Sequence, residues 1–119
     1  MDKAQRFLAA AQLAFEHGQY ESAVSRAYYA AYHMVAWVLL ERGNIDRERW
    51  DHIQLHKAFV ESFCKKGFLF TAADGDLVKE LQDERADADY QNVRFNQRRV
   101  ERLIARTDAL CAKIAGATS

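Results

Sequence analysis

Three polar side chains with binding or proton-transfer chemistry fall on one side of an otherwise apolar segment. Arg26, Tyr29 and His33 are spaced i, i+3 and i+7, so on a helix they share a face. The run from Ala27 to Leu40 around them is almost wholly apolar, and polar tips buried in such a run need hydrogen-bond partners. Two interpretations stay open, a structural network where two helices cross and the floor of a polar cleft.

Histidine and cysteine spacing gives little indication of a metal site. His52 and His56 are spaced i, i+4, but no glutamate follows the first histidine and no third ligand is evident. Cys64 and Cys111 lie among apolar residues without the spacing of a zinc site, so we expect them to be small core side chains. We therefore predict neither a bound metal nor a cofactor.

A stripe of arginines marks the last predicted helix. Four of its members recur at every fourth position and a fifth lies beside them. They are Arg94, Arg98, Arg102 and Arg106, with Arg99 alongside. Such a stripe can follow a phosphate backbone. The acidic stretch from Glu80 to Asp89 is an equally good partner for it, within one chain or across a dimer, and a solvated face is the third interpretation.

The totals describe an ordinary globular chain. Of 119 residues, 50% are hydrophobic and 29% are charged, which suits one domain spanning residues 1–119. No proline occurs, as expected of an all-α chain with short joints. Seventeen basic residues balance seventeen acidic ones, so no global charge attracts nucleic acid or a membrane. Without a signal-like start, we expect a cytoplasmic protein with no membrane contact.

The apolar run from Ala27 to Leu40 is the element around which the others must pack. It is too long for one strand and shorter than the roughly 20 residues that cross a bilayer. We predict a central helix in an up-and-down bundle of four to five helices. It begins near Gln19 and ends near Gly43.

Apolar periodicity and capping residues place the other helices. The first predicted helix runs from Asp2 to His17. The third begins at the capping box Asp51–Gln54 and ends at Gly67, and the fourth begins at Thr71–Asp74. The last runs from Asn92 or Val93 to Ala115, where Gly116 ends it. Trp50 and the link Phe68–Phe70 are candidates for a dimer interface if they prove exposed.

Three segments, taken in order, resemble a known family. They are Gln19–His33 (QYESAVSRAYYAAYH), Leu40–Gly43 (LERG) and Arg85–Tyr90 (RADADY). Together they are similar to the HEPN domain (higher eukaryotes and prokaryotes nucleotide-binding), in its small stand-alone prokaryotic form. The resemblance spans nearly the whole chain. It implies a bundle of four to five helices, often a homodimer, with a cleft near the dimer axis.

The resemblance also implies a chemistry. Many HEPN proteins are metal-independent ribonucleases with an arginine followed, after four to six residues, by a histidine. That histidine would act as acid or base at the ribose 2′-OH while the arginine stabilises the phosphate. Many small members are encoded beside a minimal nucleotidyltransferase, the two behaving as toxin and antitoxin.

This chain departs from the family motif after Arg85. The positions where the histidine is expected hold Tyr90, Gln91 and Asn92, and a phenol is a poor base at neutral pH. The bare spacing does recur elsewhere in the chain, at Arg26 to His33, Arg47 to His52 and Arg49 to His56.

Two functions are therefore predicted, and a purely structural bundle without a ligand is the third interpretation. The first is a binding module for a nucleotide, RNA or a partner protein, within a toxin–antitoxin-like pair with a nucleotidyltransferase. Its candidate binding residues are Arg26, Tyr29, Asp89, Arg94, Arg98 and Arg102. The alternative is a metal-independent ribonuclease in which Arg85 binds the phosphate, His33 replaces the missing histidine and Tyr90 donates a proton.

Overall fold

A computed structural model describes residues 2–42, 51–64, 70–90 and 95–118. Within these ranges the chain forms five α-helices and one π-helical segment, with no strand, and the predicted all-α bundle is confirmed. The elements are α1 (Asp2–Glu16), α2 (Tyr20–Glu41), α3 (His52–Phe59), the π-helical segment (Val60–Cys64), α4 (Ala72–Tyr90) and α5 (Gln97–Thr118).

The central position of α2 follows from its composition. Ten of its 22 residues are buried, on more than one side of the helix. Accordingly α2 packs against α1, α3, α4 and α5, so it is the element shared by the whole bundle. A helix that is apolar almost all round is stable only where neighbours cover it on several sides.

The joint between α1 and α2 depends on one glycine. Gly18 has a φ of +71°, a left-handed conformation that a side chain disfavours. Its N–H donates to the Phe15 carbonyl at 3.0 Å, and the Gln19 N–H donates to the Ala14 carbonyl at 2.9 Å. These bonds satisfy carbonyls at the end of α1, and α2 begins at the next residue, Tyr20.

Side-chain caps begin α3 and α4 where the sequence predicts them. The Asp51 carboxylate accepts a hydrogen bond from the Gln54 N–H at 2.8 Å, so His52 becomes the first residue of α3. The Asp74 carboxylate accepts one from the Thr71 N–H at 2.9 Å, just before α4. The predicted endpoints Gly43 and Gly67 lie outside the described residues, as do Trp50 and the first two residues of the Phe68–Phe70 link.

Both predicted ends of α5 are wrong. The helix begins at Gln97 rather than at Asn92 or Val93, because the Asn96 side chain accepts a hydrogen bond from the Arg99 N–H at 2.8 Å and caps it there. At the other end the helix continues through Gly116 to Thr118. A glycine costs an exposed helix only about 1 kcal/mol, which the burial of Ile114 in the preceding turn offsets.

No helix in the described ranges combines the length and the apolarity needed to cross a membrane.

Candidate functional site

A cationic and aromatic cluster forms where α2, α3 and α4 meet. Arg85, on α4, donates from Nη2 to the Tyr29 hydroxyl at 2.9 Å, and its Nη1 lies 3.3 Å from Nε2 of His52. The guanidinium carbon lies 5.4 Å from the centre of the Tyr29 ring and 5.6 Å from that of Tyr28. A guanidinium over two phenol rings gains cation–π attraction and keeps a fixed orientation.

His52 is held from several sides. Its Nδ1 is hydrogen-bonded to the Tyr28 hydroxyl, and its backbone carbonyl accepts from the Gln82 amide at 2.7 Å. Its ring meets the Tyr28 ring edge-on at 5.2 Å between centres, and Tyr32 lies 6.2 Å away in a similar arrangement. We refer to Tyr28, Tyr29, His52 and Arg85 as the Arg–His cluster.

The Arg–His cluster is buried at one end and open at the other. Tyr28 is only 1% exposed, Tyr29 and Arg85 are partly buried, and His52 is exposed at the start of α3. A ligand from solvent therefore meets the imidazole and the guanidinium, while the phenols form the floor beneath them.

Burial and neighbouring charge shift two ionisations in the cluster. The pKa of His52 is lowered, first by desolvation and then by the Arg85 guanidinium, although Asp51 opposes the shift. Desolvation raises the pKa of the Tyr28 phenol well above its ordinary value. At neutral pH the imidazole is therefore neutral, and so is the phenol.

His33, predicted from the sequence as the replacement histidine, occupies a different neighbourhood. Its ring stacks on Phe7 of α1, with 5.4 Å between centres and 9° between planes, and meets Tyr32 edge-on. Burial lowers its pKa, and Lys3 lowers it further. A catalytic role for His33 stays a prediction that these contacts do not test.

The remaining predicted residues are dispersed. Tyr29 joins Arg85, as described, whereas Arg26 is exposed and donates to Ser22 one turn earlier on α2. Tyr90 is the last residue of α4. The side chains of Asp89 and Tyr90, and the whole of Arg94, lie outside the described parts of the structure.

The arginine stripe of α5 is divided between paired and exposed members. Arg99 pairs with Glu84 of α4, and Arg106 pairs with Glu80 at 2.7 Å. Arg98 and Arg102 are exposed, and Arg98 lines an open cavity of about 590 Å³ with Asn96, Gln97 and Glu101. Part of the stripe thus binds the acidic helix within the same chain, as one of the interpretations held.

Neither the histidines nor the cysteines assemble a metal site in the described ranges, where no group of three suitable His, Cys, Asp or Glu side chains converges. His56, which the sequence places beside His52, instead has its Nε2 3.0 Å from the Gly75 carbonyl of α4. Burial raises the pKa of the Cys64 thiol to about 11 and that of Cys111 to about 12, as expected of core side chains.

Sequence reasoning missed the roles of His52, Tyr28 and Gln82. The sequence analysis considered His52 as a metal ligand with His56 and as the histidine of a bare Arg47 spacing, and it treated Tyr28 as part of an apolar run. One signal was available, because Gln82 and Arg85 are spaced i, i+3 on α4 and so share a face. What lies against that face depends on how α3 docks, which no local pattern specifies.

The protein is a helical bundle with an arginine–histidine cluster where three helices meet, and comparison with known proteins shows to which family it belongs. The family model of the HEPN domain matches residues 1–116. The chain belongs to the HEPN family. Among its relatives is the protein named "Putative toxin MJ0605" of Methanocaldococcus jannaschii, which is 28% identical over 111 residues, 93% of this chain and 80% of the relative.

Proposed function

We propose that this chain is the toxin-like member of a toxin–antitoxin pair and cleaves RNA without a metal at the Arg–His cluster. The observation that carries the proposal is the 3.3 Å separation between Arg85 Nη1 and His52 Nε2. Both groups are within reach of one phosphodiester, which is the geometric condition for joint action. His52 takes the role for which the sequence analysis considered His33.

The reaction is an internal transfer of the phosphodiester. His52 removes the proton from a ribose 2′-OH, and the 2′-oxygen forms a bond to phosphorus while the bond to the 5′-oxygen of the next nucleotide breaks. The leaving oxygen takes a proton from water or from the imidazolium, and the products are a 2′,3′-cyclic phosphate and a 5′-hydroxyl. Arg85 stabilises the charge that builds on the non-bridging oxygens.

The binding module remains the second candidate function. It is favoured by the contacts that already hold Arg85, since a guanidinium bonded to the Tyr29 hydroxyl at 2.9 Å and placed over two phenol rings is oriented to bind a phosphate without any reaction. The two candidates differ in the role of His52, because a binding module needs the cation but not the base.

The cleavage test uses purified protein, an RNA oligonucleotide and excess chelator. Arg85→Ala should lower the cleavage rate about 10²- to 10³-fold, as when a stabilising donor is lost. His52→Ala should lower it about 10²- to 10⁴-fold. His17→Ala, at an exposed histidine beyond α1, is the matched control and should cleave normally. An oligonucleotide with 2′-deoxyribose at the cleaved position should resist.

Other outcomes would change which residues are assigned to the active site, or whether the chain is a nuclease at all. Equal cleavage by wild type, Arg85→Ala and His52→Ala would exclude the cluster as the active site. A loss that follows His33→Ala but not His52→Ala would identify His33 as the base. RNA binding that depends on Arg85 without any cleavage would establish the binding module.

The proposal includes the partners implied by the family. The chain acts in the cytoplasm as a homodimer and is neutralised by a minimal nucleotidyltransferase encoded beside it. The name of the relative, "Putative toxin MJ0605", supports an antitoxin partner. Ile53, which is 78% exposed beside His52, supports the homodimer as an apolar side chain that a second chain would cover. A monomeric mass in light scattering at high concentration would contradict the homodimer. Failure of a co-expressed nucleotidyltransferase to co-purify would contradict the pair.

A further inference from the structure

Both ring nitrogens of His52 have identified neighbours. Nε2 lies 3.3 Å from a guanidinium nitrogen of Arg85, while Nδ1 is hydrogen-bonded to the Tyr28 hydroxyl. The Gln82 amide holds the backbone carbonyl of the same residue at 2.7 Å. Because both ring nitrogens and the backbone of His52 are held, the orientation of the ring is fixed, and the position of its proton can be deduced from the chemistry of the two ring partners.

A guanidinium has donors and no acceptor. Nε2 therefore receives the hydrogen bond from Arg85 and carries no proton. A neutral imidazole has one N–H, so its proton is on Nδ1 and is donated to the Tyr28 oxygen. The opposite tautomer would direct the Nε2 proton of His52 at a proton of Arg85.

We infer that Tyr28 is a positioning residue that fixes His52 in the Nδ1–H tautomer, so that the unprotonated Nε2 faces Arg85 and an incoming phosphodiester. The inference rests on the proposed function for its catalytic meaning, but the tautomer is a property of the free protein. Tyr28 does not touch the substrate in this scheme. It acts through the imidazole, as the carboxylate acts in a serine-protease triad.

The surroundings of the ring agree with this assignment. Burial keeps Tyr28 a phenol, with its pKa raised, so its oxygen accepts from Nδ1–H without carrying a charge. Among the residues that the structure describes, the charged groups that act on His52 are Arg85, which lowers its pKa, and Asp51, which raises it. A neutral imidazole with a basic Nε2 is the form that a general base needs.

Tyr28 also matters during the reaction. Nε2 has a single lone pair, so Arg85 Nη1 must turn from the imidazole to the bound phosphate before Nε2 can take the proton of a 2′-OH. The ring then becomes a cation with N–H groups on both nitrogens. The Tyr28 oxygen continues to accept from Nδ1–H, and a phosphate on Arg85 offsets the repulsion between the two cations. Loss of the hydroxyl should therefore lower kcat and leave KM nearly unchanged.

The first test is the tautomer itself, observed by long-range ¹H–¹⁵N correlation NMR of the histidine rings in the full chain without RNA. Above the pKa of His52, we expect a protonated Nδ1 and an unprotonated Nε2. Tyr28→Phe keeps the ring that fills the core and removes only the hydroxyl, and it should shift His52 toward the Nε2–H form. Tyr20→Phe, a tyrosine that packs on Phe15 at 5.8 Å, should leave His52 unchanged.

The second test is cleavage by the same three proteins. Tyr28→Phe should lower kcat about 10- to 100-fold, as when a metal-binding histidine loses the partner that orients its ring. An Nε2–H tautomer in the wild type would overturn the inference even if the protein cleaves RNA. The expected tautomer in a protein that cleaves nothing would support the positioning and reject the proposed function, so the two failures are distinguishable. Unchanged kcat in an active Tyr28→Phe would also overturn it.

Discussion

Truncation of Arg99 should destabilise the protein far more than truncation of Arg106. Both arginines lie on α5 and pair with a glutamate of α4, and their side chains are equally accessible, at 42% and 39% exposed. The carboxylates differ, because the Glu84 side chain is 11% exposed and that of Glu80 is 43% exposed. Comparing the stabilities of Arg99→Ala and Arg106→Ala therefore measures the effect of how deeply the unpaired glutamate is buried.

The magnitudes follow from that burial. A partly exposed ion pair contributes about 0–1 kcal/mol, so Arg106→Ala should cost about 0.5 kcal/mol. Leaving a fully buried charge without its partner costs about 3–5 kcal/mol. The outer end of the Glu84 pair is open to water, which reduces the expected cost of Arg99→Ala to about 2 kcal/mol. Within the described chain, Glu84 Oε2 is buried without a hydrogen bond, so Arg99 is the main compensation for this charge.

Urea and thermal unfolding would measure both variants. With about 4 °C per kcal/mol for a chain of this size, we expect Tm to fall by about 8 °C for Arg99→Ala and about 2 °C for Arg106→Ala. The double variant Glu84→Gln/Arg99→Ala should regain part of the loss, because a neutral amide costs less to bury. An Arg99→Ala protein as stable as Arg106→Ala would refute the argument from burial.

Three further results are expected. Arg85→Ala should raise the pKa of His52, because the guanidinium is one of the two causes that lower it, and an unchanged NMR titration would show that the groups are not coupled. The pKa of His33 is lowered in the folded chain, so below about pH 6.5 the unfolded chain takes up a proton that the folded chain resists, and the free energy of unfolding decreases as the pH decreases. His33→Phe should make this decrease smaller in urea unfolding. A decrease as large as in the wild type would contradict the argument. Gly75→Ala would place a Cβ 2.9 Å from Val60 Cγ2, so overpacking should exceed the helix-propensity gain and lower stability by about 1 kcal/mol, whereas a higher Tm would contradict it.

The fold was predictable because its main signals are local. The apolar run that became α2, the glycine at the first joint and the caps of α3 and α4 each depend on residues a few positions apart. The start of α5 was wrong for a related reason. Apolar periodicity extends back beyond Asn96, and only the cap formed by that side chain shows where the helix begins.

The site was predictable only in part, since its contacts join distant segments. The sequence analysis named both Arg85 and Tyr29 as candidate site residues, and the structure brings them into contact although 56 positions separate them. The histidine was not, because His52 reaches Arg85 across 33 positions and only after α3 has docked. A motif defined by spacing along one helix cannot find a pair assembled from two helices.

Because His52 lies on a short helix, the Arg–His cluster can come apart while the rest of the bundle stays folded. α3 has eight residues and buries only Leu55 and Phe59, whereas α2 buries ten side chains. Elements with few buried contacts open locally at a lower free energy than the whole domain. Each opening of α3 withdraws the imidazole while Arg85 stays on Tyr29. On the proposed function, gentle heating should therefore produce a chain that still binds phosphate but no longer cleaves RNA, well before its helix content is lost.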